Sequence, residues 1–376
     1  MESILETQES FDTLERELLI YERVLEAQPN NHEAWRHRSY LLGHLGRYQA
    51  AIASYEKTLA LNSSHSDDWF NYGVALAQAG CYEAALSSYD EALNRSPQSA
   101  KTLHRKAFSL HRLERHEEAC QCYKAALALD PNYASAWYHL GKVQYGLGRY
   151  EDSLESFQQA VVLEPNSFKA QQCLGYLQMR FGYYTEALKH FVIASRLQPD
   201  NPQPLVLQSY LLRQLGKTQA ALKCLEEAIA LEPDDHYFWY QRGLTLVNMG
   251  AYPAAQSSLV KSLKAEAYQY QAWLALGLTL QKLGGYQDAI EAYNKALSIE
   301  PDLAFAFYHQ ACCYAYQDRP DWAIEHLRRA IALAPQTYLG RAKQEPVLAS
   351  LQQDERFQAL LEEDPTLETY CLLKGS

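Results

Sequence analysis

A 34-residue pattern runs nine times in register from His32 to Thr337, with no inserted or deleted residue. A fixed period of this length marks a chain built from stacked supersecondary units, each burying its apolar face against the next. With His32 as position one, position four holds Trp35, Trp69, Leu103, Trp137, Gln171, Leu205, Trp239, Trp273 and Phe307. Position eight is always Gly, Ala or Ser, from Ser39 and Gly73 to Gly277 and Ala311. Position twenty is Ala in every copy but one, where it is Ser153. Position twenty-four is aromatic or Leu, and position thirty-two is Pro at Pro97, Pro131, Pro165, Pro199, Pro233, Pro301 and Pro335.

Apolar residues at positions four, seven, eight and eleven have helical spacing, as do those at twenty, twenty-four and twenty-seven. Each unit is therefore two helices of about a dozen residues with a turn near position fifteen. That turn carries Gly46, Gly80, Gly148, Gly182, Gly216, Gly250 and Gly284, where a helix C-terminus favours a residue that tolerates positive φ. Small residues at eight and twenty let the two helices approach, and bulky ones at four and twenty-four fill the space beside them. Pro at thirty-two ends the second helix.

These columns, W-x2-L-G, then Ala, aromatic, Ala and Pro, resemble the tetratricopeptide repeat family over more than four-fifths of the chain. The resemblance implies an all-α fold, a right-handed α-solenoid of nine helix-turn-helix repeats spanning residues 32–337. Local departures are Gln171 and Leu205 for the first aromatic, Glu114 and Asp318 for the turn Gly, and Ser63 and Ala267 for Pro. Repeats five and six are expected to pack less firmly than their neighbours. Residues 1–31 read as an N-terminal half-repeat, because Tyr21, Val24 and Pro29 within Phe11–Pro29 keep the phase of a second helix. Residues 338–376 leave the period. Val347–Glu362 is amphipathic behind Pro346 and suits a capping helix, resembling the terminal segment of bacterial arrays of this family, with a frayed tail after it.

A stacked array grows by adding units, so 376 residues are expected to form one elongated domain. The acidic N-terminus lacks a basic-then-apolar leader, and no apolar run reaches membrane-spanning length. The eight cysteines contain no C-x2-C pair and fall within helices, which suits a reducing cytoplasm and neither disulfides nor metal. A net charge of −11 argues against nonspecific nucleic-acid binding. The charge is uneven: eleven Lys and Arg balance eleven Asp and Glu between His32 and Tyr133, and seven of the twelve histidines lie there.

In the family the first helix of each repeat lines the concave side, and its inward positions are two, five, six, nine, twelve and thirteen. Here they hold Tyr40, Phe70, Phe108, Tyr138, Tyr145, Tyr176, Tyr210, Tyr237, Tyr240, Phe305, Tyr308 and Tyr316. Arg36, Lys101, Arg105, Arg112, Lys142, Lys169, Arg180 and Arg213 are interleaved with them. Aromatic and Arg side chains on a concave face are what a peptide groove uses as anchors. Chaperone-binding members form a carboxylate clamp for an acidic C-terminus, and its five positions are Arg36, Tyr40, Asn71, Lys101 and Arg105 in this sequence. Asn71, Lys101 and Arg105 match, Arg36 keeps the charge, and Tyr40 departs. Independently of the family, Lys101 and Arg105 are like charges at i,i+4, a cost of roughly 0.2–0.5 kcal/mol. Their helix adds Lys106 and Arg112 and contains no acid, so an anionic partner would relieve it. The competing reading is a solvated basic face paired with neighbouring acids such as Asp67 or Asp68.

Other signals are weak. Gly216-Lys217-Thr218 ends like a phosphate loop, but Leu211 stands where the first Gly is required. His116 and Cys120, with Cys122 nearby, have a metal-compatible spacing, yet His116 occupies a packing column. His37 with His44, and His104 with His111, lie two turns apart, roughly 10 Å, too far to share an ion. No hydrolase, metalloprotease or Cys–His signature occurs. The expectation is a non-catalytic adaptor without cofactor, holding an extended or helical peptide of a partner protein, an acidic C-terminus among the candidates. The alternative is a homo-oligomeric scaffold that pairs through the solenoid ends near Phe11 or Phe357.

Overall fold

The computed structural model describes residues 2–362, with side chains from residue 12 onward. Among these residues all regular structure is helical. The chain divides into two compact units, with the division between Phe181 and Gly182.

The first unit holds α1 (Glu2–Ala27), α2 (His32–His44), α3 (Tyr48–Leu61), α4 (Ser66–Gln78) and α5 (Tyr82–Arg95), then α6 (Ala100–Arg112), α7 (His116–Leu129), α8 (Ala134–Gly146), α9 (Tyr150–Leu163) and α10 (Phe168–Arg180). Helices α2 to α9 form four hairpins of consecutive helices, and the second helix of each packs on the first helix of the next. The columns explain the approach. A Cβ on Gly73 would sit 2.6 Å from the Tyr89 ring, and one on Gly141 2.9 Å from the Phe157 ring. Position eight is small because the ring at position twenty-four of the same repeat occupies its space. Gly46, Gly80 and Gly148 close their turns at φ 72°, 83° and 74°, and Glu114 is held in the same left-handed region at φ 62°.

Position four has a polar task as well as an apolar one. The Trp35, Trp69 and Trp137 indoles donate to the carbonyls of Pro29, Ser63 and Pro131 at 2.8, 2.9 and 2.8 Å, tying each first helix to the loop that enters it. Gln171 does the same, its amide 2.6 Å from the Pro165 carbonyl. Repeat five was expected to be weakened by losing the aromatic, but it keeps this bond. The N-terminal helix runs from Glu2 to Ala27, and residues 2–10 contain neither Gly nor Pro to interrupt it. Leu18 and Leu25 are buried, Tyr21 stacks on His37 at 4.9 Å, and Glu22 and Glu15 pair with Arg38 and Arg47.

The second unit continues with α11 (Tyr184–Leu197), α12 (Gln203–Gln214), α13 (Thr218–Leu231), α14 (His236–Asn248), α15 (Tyr252–Ala265) and α16 (Tyr270–Lys282), then α17 (Tyr286–Ile299), α18 (Ala304–Tyr316) and α19 (Pro320–Leu333). Its contacts repeat the scheme: Gly243 lies under Leu259 and Gly277 under Tyr293, each leaving 2.6 Å for a Cβ. Trp239 and Trp273 donate to the carbonyls of Pro233 and Ala267. The end differs from expectation. In place of one helix over Val347–Glu362, α20 (Pro335–Gln344) is followed by a 3-10 turn (Pro346–Leu351) and α21 (Glu355–Glu362). Asp354 interrupts: its carboxylate accepts from the Arg356 N–H at 2.9 Å and opens a new helix. Leu348, Leu351, Phe357 and Leu360 then cover Ile331 and Leu327 as a cap. The tail after Glu362, and the Phe11 side chain, lie outside the described residues.

Candidate functional site

Four of the five clamp positions come together in the first unit. Arg36, Tyr40, Asn71 and Lys101 line one cleft of about 520 Å³ with His37, Tyr55, Asp67 and Phe70. Arg105, one turn along α6 from Lys101, is half-buried and lies outside the lining. A smaller cavity of about 260 Å³ adjoins it, sharing Tyr40, Tyr55 and Asn71.

The cations of this face differ sharply in what answers them. Arg36 Nε lies 2.8 Å from Asp68 Oδ1, and His32 Nε2 lies 3.4 Å from Asp68 Oδ2. The Asp68 side chain is 0% exposed, so its charge is answered from within the fold and Arg36 is spent on it. The competing sequence reading put Asp68 against the α6 bases; it faces Arg36 instead. Lys106 pairs with Asp90 of α5. Lys101, Arg105 and Arg112 have no carboxylate within ion-pair distance among the described residues. They rest on rings or beside them: Lys101 Nζ is 4.6 Å from the Phe70 centroid, and Arg112 Cζ is 5.1 Å from that of Tyr82.

Phe70 was expected as an anchor but is only 7% exposed, packed at 6.2 Å against Tyr89, and forms the cleft floor. Tyr308 is likewise removed from any groove, at 3% exposure, donating to Glu345 at 3.0 Å beneath the cap. Tyr40, Tyr145, Tyr176, Tyr210, Tyr237 and Tyr316 are exposed. Phe108, Tyr138 and Tyr240 are half-buried. Tyr145 meets Tyr150 edge-on at 5.3 Å, and Arg180 sits 4.1 Å over the same Tyr150 ring. Tyr316 stacks on Tyr286 at 4.5 Å. Lys169 belongs to a separate hollow of about 210 Å³ with Tyr138, His139 and Glu164.

Two features escaped the sequence reading. Asp68 stands in position three, a column buried in every copy and otherwise filled by Ala, Thr, Pro or Phe. An acid in that column was the signal for a buried ion pair. The second is a histidine layer beside Arg105. His104 lies 5.4 Å from His139 and 4.8 Å from Tyr133, with Phe108 5.8 Å from His139. Burial pushes His104 down to about 4, with Arg105 adding to it; burial, then His104 and Lys142, push His139 to about 3. Among the described residues no three His, Cys, Asp or Glu side chains gather to hold a metal ion, and the seven cysteines there are unbridged. No described helix is long and apolar enough to cross a membrane.

Stacked helical hairpins offering a cation-and-aromatic face define a helical-repeat interaction scaffold. The chain belongs to the tetratricopeptide repeat family: profiles of that repeat match residues 40–100, 109–148, 134–167, 210–250 and 268–336, together more than half of the sequence. A profile of the protein prenyltransferase alpha subunit repeat matches residues 14–45. No curated protein matches the chain. Similar solved structures include YrrB, described as a TPR protein with an unusual peptide-binding site, at 22% identity over 50% of this chain and 96% of that one, with a TM-score of 0.44. PilF of Pseudomonas aeruginosa is 20% identical over 54% of this chain and 92% of its own, with a TM-score of 0.47. The Cut9–Hcn1 assembly of the APC/C covers 92% of this chain and 80% of its own at 15% identity, with a TM-score of 0.45. Repeats of this family are typically non-catalytic interaction modules.

Proposed function

We propose that the first unit holds an extended acidic segment of a partner protein across the cleft between α2, α4 and α6. Lys101 and Arg105 would bind its carboxylates, Asn71 would orient its backbone, and Tyr40 and Phe108 would take its apolar side chains. Arg112 would extend the charge along α6, and Tyr138, Tyr145 and Tyr176 the aromatic surface.

The observation that carries this reading is the lack of any internal counter-charge for Lys101, Arg105 and Arg112, while Arg36 and Lys106 on the same unit are both paired. Charge-assisted bonds to carboxylates are the strong ones, and a cleft holding them beside apolar rings suits a peptide. Because Asp68 neutralises Arg36, the clamp's charge falls on Lys101 and Arg105. An acidic C-terminus and an internal acidic run are both compatible with that pair.

The test is fluorescence anisotropy with synthetic peptides in which Glu alternates with Phe or Leu, against the native chain and Lys101→Ala/Arg105→Ala. A loss of about tenfold, or about 1.4 kcal/mol, with a flatter salt dependence is expected. Equal affinity and equal salt slope in the double variant would rule the cleft out.

A further inference from the structure

The second unit carries a cation, Arg213, that has no carboxylate within ion-pair distance among the described residues. Arg213 lies in the last turn of α12, where a base complements the helix dipole. That role needs only an exposed guanidinium, yet Arg213 is half-buried. Its Nη2 donates to Gln241 Oε1 of α14 at 3.1 Å, and its Cζ sits 5.9 Å from the Tyr210 ring. Tyr237 and Tyr240, in the first turns of α14, close the surround with ring centroids 6.4 Å apart. The sequence offers no structural reason for an Arg here, because the same position elsewhere holds Gly43, Ala77, His111, Tyr145, Met179, Val247, Gln281 and Ala315.

The acids on the neighbouring elements do not reach it. Helices α12, α14 and α16 contain neither Asp nor Glu. On α13, Glu226 is taken by Arg242 at 3.2 Å and Glu227 faces Lys223 at 3.9 Å. Among the described residues no carboxylate reaches Arg213. A guanidinium has five N–H donors in a planar fork, and one of them is spent on Gln241. Burial pulls Arg213 below its ordinary basicity, with Tyr237, Tyr240 and Tyr210 acting in the opposite sense, and a guanidinium keeps its charge inside a protein. Tyr210 and Tyr237 remain exposed at the rim, which leaves the fork approachable.

We propose that Arg213, with Tyr210, Tyr237 and Tyr240, is a binding site for a single carboxylate on an acidic side chain of a partner peptide, distinct from the cleft of the first unit. The planar fork matches a carboxylate bidentately. The rings shield that pair from water and form its apolar walls, and the phenol O–H groups add donors at the rim. Arg enclosed by Tyr is the composition of a binding hot spot.

The test uses the full chain carrying Lys101→Ala/Arg105→Ala, so that the first unit contributes little charge. Fluorescein-labelled peptides alternating Glu with Phe are titrated against it, alone and with Arg213→Gln, Arg213→Lys or Tyr237→Phe. Residual binding is expected to fall about tenfold with Arg213→Gln and to be only partly restored by Arg213→Lys, as a point charge lacks the fork. Replacing Glu by Gln in the peptide should cause the same loss. Unchanged affinity in Arg213→Gln, equal binding of the Gln peptide, or no binding at all in the background chain would each overturn the site. A lower melting temperature for Arg213→Gln with affinity intact would mark the residue as structural and overturn it too. The first-unit cleft is judged separately, by the native chain against the background chain.

Discussion

Gln171 donates its side-chain amide to the Pro165 carbonyl at 2.6 Å and so makes the bond that a Trp indole makes in five other repeats. The acceptor is the carbonyl six residues back, at position thirty-two of the preceding repeat. Pro in that column stops a helix, but Ser63 and Ala267 show that the carbonyl serves equally from another residue. Gln171→Leu should therefore cost about 1 kcal/mol by stranding the acceptor, whereas Gln171→Trp should retain most of the stability. Hydrogen exchange of the amides around residues 165–175 reads this locally; equal protection in the Leu variant would show that the bond contributes nothing.

Much of the fold was legible because each column carries one physical task in every copy. Position eight is small because the ring or Leu at position twenty-four occupies its place, as Gly73 and Tyr89 show. What stayed hidden depends on reach across helices. A column says which face a side chain leaves from, and cannot say that Arg36 bends to Asp68 on the next hairpin while Lys101 does not. Gln171 was misjudged for a related reason: as an aromatic it is a loss, as an N–H donor it is an equivalent. The C-terminal cap was read as one helix because Leu348, Leu351, Phe357 and Leu360 all serve one apolar face, but the chain forms a 3-10 turn first and restarts as a helix after Asp354.

Glu114 and Asp318 occupy turns where the other repeats have Gly, at φ 62° and 54°. An L-residue in this region costs roughly 1–2 kcal/mol, part of which Gly would return as unfolded-state entropy. Glu114→Gly and Asp318→Gly should each stabilise the chain by about 0.5–1 kcal/mol, visible as a rise in melting temperature. A fall in either would mean that the acid's own interactions outweigh the strain.

The histidine layer makes the first unit sensitive to acid. His104 and His139 are held near 4 and 3 by burial, below the ordinary value of about 6.5 that they regain on unfolding. The unfolded chain therefore binds protons first as pH falls, so stability is full above pH ~7 and declines from about 6.5 down to about 4 for His104 and about 3 for His139. Each group contributes at most about 1.4 kcal/mol per pH unit in that window. Melting at pH 7.5 and pH 5 should show a clear drop for the native chain and a smaller one for His139→Phe. Parallel curves for the two proteins would place the acid sensitivity elsewhere.

Asp68 controls how much charge the first-unit cleft can offer. Its carboxylate is fully buried and holds Arg36 at 2.8 Å, although Arg36 also lines the cleft beside Lys101. Asp68→Asn keeps the shape and removes the charge, releasing the guanidinium toward the opening. Removing one partner of a buried ion pair leaves the other without its counter-charge, so the variant should melt lower. It should nevertheless bind the acidic peptides more tightly and with a steeper salt dependence, because a third cation now faces them. Combining Asp68→Asn with Lys101→Ala should restore part of the affinity that Lys101→Ala loses. If Asp68→Asn folds, yet binds no better and shows an unchanged salt slope, Arg36 is a structural residue and the acidic ligand is read by α6 alone.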